Sequence, residues 1–136
     1  MDALSRQRWF VILVGVLYCG IGIVFALPSN QVRTWRLAAW VASAAVYAAH
    51  IAYEQFGLRN APRSTALHVT IAVAIGGFGL AAAATIHSLF APPNYTRWRF
   101  AVALVVWPII TALPAFLVAL CVAAVLARLP AKHLVG

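Results

Sequence analysis

The sequence predicts an all-α integral membrane protein, a four-transmembrane-helix bundle, and three observations carry that prediction. Of its 136 residues 65% are hydrophobic and 9% charged, whereas roughly a quarter of the residues in a soluble domain are charged. The apolar residues fall into four long stretches, each able to supply the about 20 residues that cross ~30 Å of hydrocarbon as a helix. Basic residues stand in pairs at the ends of those stretches: Arg6 and Arg8, Arg33 and Arg36, Arg59 and Arg63, Arg97 and Arg99, Arg128 and Lys132. A transmembrane β-barrel is excluded, because its strands alternate apolar and polar residues and these runs do not. The spans account for nearly the whole chain, so residues 1–136 are read as a single transmembrane domain.

The first span is expected over 9–27 and ends at Pro28-Ser29-Asn30, a turn cluster that cannot continue a helix. Its apolar run exceeds the 7–15 residues of a signal-peptide core, so it is read as a retained span. The second, over 36–55, lies between Arg36 and Glu54. The third, over 65–90, follows Pro62-Arg63-Ser64-Thr65, where Ser64 or Thr65 is the expected cap, and stops before Pro92-Pro93-Asn94. The fourth, over 99–128, is longer than a straight crossing needs and holds Pro108 and Pro114, which should kink or tilt it.

A net charge of +8 and a pI near 10.9 would suggest phosphate binding by a soluble protein. Here every cation sits beside a span end, the place for contact with anionic lipid headgroups, and nucleic acid is not expected as a partner. The termini and the central loop carry Arg6, Arg8, Arg59, Arg63, Arg128 and Lys132, against Arg33, Arg36, Arg97 and Arg99 on the other side. That slight excess places both termini in the cytoplasm by the positive-inside rule, although so even a spread also permits insertion in both orientations. The segment Pro28 to Ala38 is echoed by Pro92 to Ala101, with Pro, Asn, Arg, Trp, Arg and Ala recurring in order. The echo suggests two parallel-repeat helical hairpins, although interfacial loops favour Trp and Arg in any case. Either way, Arg33, Trp35, Arg36, Arg97, Trp98 and Arg99 share one side, where arginine can pair with phosphate and indole can sit at the carbonyl level, for contact with lipid headgroups or a partner.

On the second helix Arg36, Trp40, Ser43, Tyr47, His50 and Glu54 fall within an arc of about 80°. Hydrocarbon offers no hydrogen-bond partner to Ser, Tyr, His or a carboxylate, so this polar face should point into the bundle or against another subunit. Roughly opposite lie Ala38, Ala42, Ala45, Ala49 and Ala52, small enough for close helix approach, which would make the second helix the least lipid-exposed. The third helix carries a small-residue stripe, Ala72, Gly76, Gly79 and Ala83, and the first carries Gly15, Cys19, Gly22 and Ala26. The Val-, Leu- and Ile-rich fourth helix is then the natural lipid-facing member.

His50 and Glu54 are spaced i, i+4, and His68 lies about one turn into the next helix from the same side. The polar intramembrane cluster expected to form is therefore Ser43, Tyr47, His50, Glu54 and His68. Its simplest reading is a hydrogen-bonded group near the headgroups. Two imidazoles and a carboxylate also make a ligand set for a transition metal, and two His on facing helices can hold haem, but no cofactor is predicted. Cys19 and Cys121 lie inside spans without a CxxC and are read as small buried residues. His87 is expected at the interface and His133 in solvent.

No Ser-His-Asp set, phosphate-cradling glycine loop or carboxylate pair occurs, so no catalytic residue is assigned and no enzyme is expected. A four-span basic chain is similar in size and charge spread to the small multidrug-resistance transporters. That family's embedded Glu in the first helix has no counterpart here, and the family is not assigned. Proton-coupled transport would have to rest on Glu54, which lies near a helix end and not at the midplane. The reading carried forward is a small multi-pass membrane protein, an accessory or structural subunit packed against other membrane subunits or copies of itself. A haem- or metal-binding protein and a transporter using Glu54 are the alternatives.

Overall fold

The structure is a computed structural model and describes residues 3–26, 32–90 and 97–129. The turn clusters at Pro28-Ser29-Asn30 and Pro92-Pro93-Asn94, with Lys132 and His133, lie outside the described residues. The chain is all-helical, with no strand among the described residues: α1 (Ala3–Ala26), α2 (Val32–Ala52), a π-helical turn (Tyr53–Gly57), α3 (Pro62–Leu89) and α4 (Arg97–Leu126). Three helices are long and apolar enough to cross a membrane, over Ser5–Phe25, Pro62–Leu89 and Trp98–Leu126. By run length α2 is expected to cross as well. It falls short because alanine supplies most of its apolar surface and Arg36, Ser43, Tyr47 and His50 dilute it.

Helix ends differ from the sequence reading for identifiable reasons. α1 begins at Ala3, well ahead of Trp9, so Arg6 and Arg8 ride exposed on its first turns. α3 begins at Pro62, with extended Ala61 as its cap residue and no side-chain cap bond. Proline at the first helical position carries a suitable φ and lacks an N–H that would otherwise be unpaired, so Ser64 and Thr65 fall inside the helix. α4 runs unbroken through Pro108 and Pro114. Near the first of these, the Thr111 hydroxyl donates to the carbonyls of Trp107 (2.9 Å) and Pro108 (3.1 Å).

α3 is the central helix. It runs parallel to α1, with Gly15 beside Ile75 and Gly76 beside Tyr18, and it packs antiparallel to α4, with Gly77 beside Thr111 and Pro108. α2 leans mainly on α1 and touches α3 and α4 more sparingly. This overturns the expectation that α2 is the least exposed helix: Leu37, Trp40 and Val41 all point outward, Trp40 at 76% exposure. The proposed packing face of α2 divides, Ala42 being half-buried and Ala45 and Ala49 exposed.

Along the α1–α3 seam the two helices approach closely at their glycines. A Cβ added at Gly15 would lie 2.7 Å from Ile75 Cβ and 3.1 Å from the Ala72 carbonyl, and one at Gly79 would lie 2.7 Å from Cys19 Sγ. Gly22 faces Leu80 in the same seam, and Ala83, half-buried, follows one turn later on α3. The buried core is correspondingly small-sided. Val11, Val14 and Ala72 form one cluster, and Ile51, Ala66, Val69 and Ala119 form the other. Large apolar side chains of α1 and α4, among them Leu13, Leu113 and Leu117, lie on the outside. Cys19 is half-buried beside Gly79, whereas Cys121 is exposed on α4, contrary to its reading as a buried residue.

Candidate functional site

The inward edge of α2 ends in the π-helical turn 53–57, where the Leu58 N–H bonds the Tyr53 carbonyl at 3.0 Å. Such wide turns carry an extra residue within the helix and gather at functional sites. Arg59 then takes φ 52°, a left-handed conformation uncommon for a side-chain-bearing residue, and turns the chain back toward α3. The Asn60 N–H closes the hairpin on the Glu54 carbonyl at 3.0 Å. Gln55 adds a tie, its amide donating to Thr65 Oγ1 at 2.8 Å and to the Asn60 carbonyl at 3.2 Å.

This hairpin holds Glu54 completely buried. Its carboxylate oxygen Oε2 accepts from the Asn60 side-chain amide and lies 3.1 Å from His68 Nδ1. Oε1 faces His50 Nε2 at 3.6 Å. His68 is part-exposed and is reached from α1 by the Gln7 amide at 3.1 Å. His50 is buried, with Phe10 edge-on to its ring at a centroid distance of 5.2 Å. Neither ring nitrogen of His50 nor Glu54 Oε1 has a hydrogen-bond partner among the described residues, an arrangement that buried polar atoms seldom tolerate.

The structure thus brings together His50, Glu54 and His68. Tyr47 turns away from them and donates to the Ala115 carbonyl of α4. Ser43, half-buried one turn further along α2, joins neither group. Asn60, Gln7 and Gln55 belong to the site and are missed by sequence reasoning, since none lies on a periodic apolar helix face. An amide in the short loop after the acid was the only signal. Among the described residues no group of three or more His, Cys, Asp and Glu is placed to hold a metal ion. Both imidazoles close on the carboxylate between them.

Tyr47 tests how far the α2–α4 contact depends on one bond. Tyr47→Phe keeps the ring and deletes the hydroxyl, so a loss of about 1 kcal/mol is expected, read as a lowered midpoint of thermal unfolding in detergent.

The opposite end of the molecule carries the Arg and Trp residues. Arg33, Trp35, Arg36, Trp98 and Arg99 are all exposed there. Trp35 packs on Phe25 of α1 at 5.7 Å, and the Arg99 guanidinium sits 5.9 Å from the Trp98 ring centroid, within cation–π range. The side chain of Arg97 lies outside the described residues, and His87 is exposed near the same end of α3.

No protein-family model, curated protein or solved structure matches the chain.

Proposed function

We propose that the chain is a multi-pass integral membrane protein in which all four helices cross the bilayer, and that it serves as an accessory or structural subunit packed against a helix of another membrane subunit. α1 and α3 lie side by side and parallel, so the chain between them has to return through the same thickness. Among the described residues α2 is the one α-helix between them, and at 1.5 Å per residue its 21 residues match a hydrocarbon core of ~30 Å. Its modest hydropathy is that of a helix with less than a full turn of lipid around it.

The observation that carries the subunit reading is the outer face of α2. Ala44, Ala45, Ala48 and Ala49 are exposed there, continuing from Val41 and Trp40. Lipid gives no preference for alanine over leucine, whereas a second helix gains close backbone approach from it. The outward Leu, Val and Ile side chains of α4 are those of a lipid face. The exposed Arg and Trp residues at the far end suit anionic headgroups, with the termini on the cytoplasmic side.

Native gels of mild-detergent extracts test this. The wild-type chain is expected to comigrate with larger subunits, Ala48→Trp to run free of them, and Leu117→Trp on α4 to leave the complex intact. A wild-type chain that runs alone as a monomer ends the proposal.

A further inference from the structure

The Glu54 cluster carries an inference that does not depend on the subunit reading. We propose that His50, Glu54 and His68 form a proton-binding site that takes one exchangeable proton from the α2–α3 end of the bundle and holds it between the Glu54 carboxylate and His50.

The 3.1 Å contact of His68 Nδ1 with Glu54 Oε2 already requires one hydrogen, because two bare lone pairs repel at that distance. With Glu54 ionised, that hydrogen is the Nδ1–H of a neutral His68, and Gln7 then turns its amide oxygen toward the ring. Asn60 supplies a second donor to the same oxygen. One side of the carboxylate is therefore satisfied by neutral donors, which leave its charge uncompensated.

The other side holds Oε1 and His50 Nε2, facing across 3.6 Å, both buried and neither hydrogen-bonded. A second ring proton on His50, beyond the one its neutral imidazole carries, makes the ring cationic, turns that gap into a charge-assisted hydrogen bond and brings the cluster to zero net charge. Without it, a carboxylate sits fully buried next to two neutral imidazoles, the arrangement most heavily penalised in a low-dielectric interior. Among the described residues no other group compensates that charge. α1 contributes Gln7 through His68 and the edge of Phe10, the hairpin contributes Asn60, and α3 contributes His68. Among the described residues Glu54 has no ion pair with Lys or Arg, and its side-chain contacts with His50, His68 and Asn60 come from α2, α3 and the hairpin. Arg6, Arg8, Arg59, Arg63 and Arg128 of this end are exposed.

The geometry also sets a direction. His68, with 22% of its side chain exposed against 1% for His50, is the group that meets water. The run of hydrogen-bonding atoms goes from His68 through Glu54 to His50, and among the described residues both ring nitrogens of His50 lack an onward partner. The proton enters and leaves by the same side, which makes the cluster a store and not a channel.

Glu54 is the only glutamate in the chain, so glutamate labelled with ¹³C at the carboxyl reports this site alone. The full chain, so labelled and with ¹⁵N-histidine, is titrated with pH in lipid bilayers by solid-state NMR. The Glu54 carboxyl resonance and the ring nitrogens of His50 are expected to shift in one shared transition that counts one proton per chain. In Glu54→Gln the His50 part of that transition is lost. In His50→Gln, a second variant in case the first does not fold, the shared one-proton step disappears and the His68 contact persists. Ring nitrogens of wild-type His50 that stay unchanged while the Glu54 carboxyl titrates, or a carboxyl that never titrates with them, overturn the proposal.

Discussion

Gly76→Ile is expected to unfold or separate the α1–α3 pair, with a loss of about 3 kcal/mol or more, at the upper end of what overpacking a core does. A Cβ at this position would lie 2.5 Å from Tyr18 Cβ and 3.3 Å from the Gly15 carbonyl. Both obstacles belong to the opposing helix or sit directly on its backbone. No rotamer change of Tyr18 moves its Cβ, so the clash is relieved only by moving α1 as a whole. That movement opens the contacts of Gly15, Cys19 and Gly22 along the same seam. Gly20, also on α1, has nothing within 4 Å of its would-be Cβ. Gly20→Ala should therefore leave stability unchanged or raise it by up to about 1 kcal/mol through helix propensity. Thermal unfolding of the two variants in the same detergent, followed by circular dichroism, separates a packing effect from a general intolerance of side chains; equal midpoints would sink the seam argument.

The second large effect is expected at Glu54. Glu54→Leu strips the Asn60 amide and His68 of their shared acceptor. Orphaning buried donors costs about 1–3 kcal/mol each, and removing one member of a buried charged cluster costs about 3–5 kcal/mol. A loss near 3–5 kcal/mol follows, concentrated in the hairpin that Glu54 also closes through its backbone. Protease cleavage between Leu58 and Ala61 should accelerate in Glu54→Leu before the helices unfold. Glu54→Gln keeps an acceptor oxygen for Asn60 and should cost less. A Leu variant as stable as wild type, with an uncut hairpin, would show that the cluster contributes nothing to the fold.

How much of this was legible in the residues differs from feature to feature. The four helices follow from run length and punctuation, because Pro, Asn and paired Arg interrupt the apolar stretches where helices stop. The glycines facing across α1 and α3 are visible as stripes at spacings of three and four. A stripe says that a helix can be approached closely and not which neighbour approaches it. That is why the same reasoning misplaced α2, whose Ala45 and Ala49 face outward while its inward edge is Val46, Tyr47, His50 and Ile51. The polar arc was likewise too generous, since Trp40 shares the angle of Glu54 but sits at the open end of a helix that leans only on α1 there. The π-helical turn has no local code in Tyr53–Gly57. Gln7 joins the site only because α1 runs parallel to α3. The internal echo gains no support from packing: α3 and α4 share an extensive interface and α1 and α2 a much smaller one, and most of both echoing loops lies outside the described residues.

The glycine seam has a consequence for biogenesis. Its two sides are made at different times, with the whole of α2 synthesised between them, so α1 leaves the ribosome without the neighbour that covers Gly15 and Gly22. Until α3 is made, α1 has only the smaller contact with α2 to hold it, and its glycine stripe stays uncovered. A translational pause placed after α2 should lengthen that exposure and lower the yield of mature protein, whereas the same pause after α3 should not.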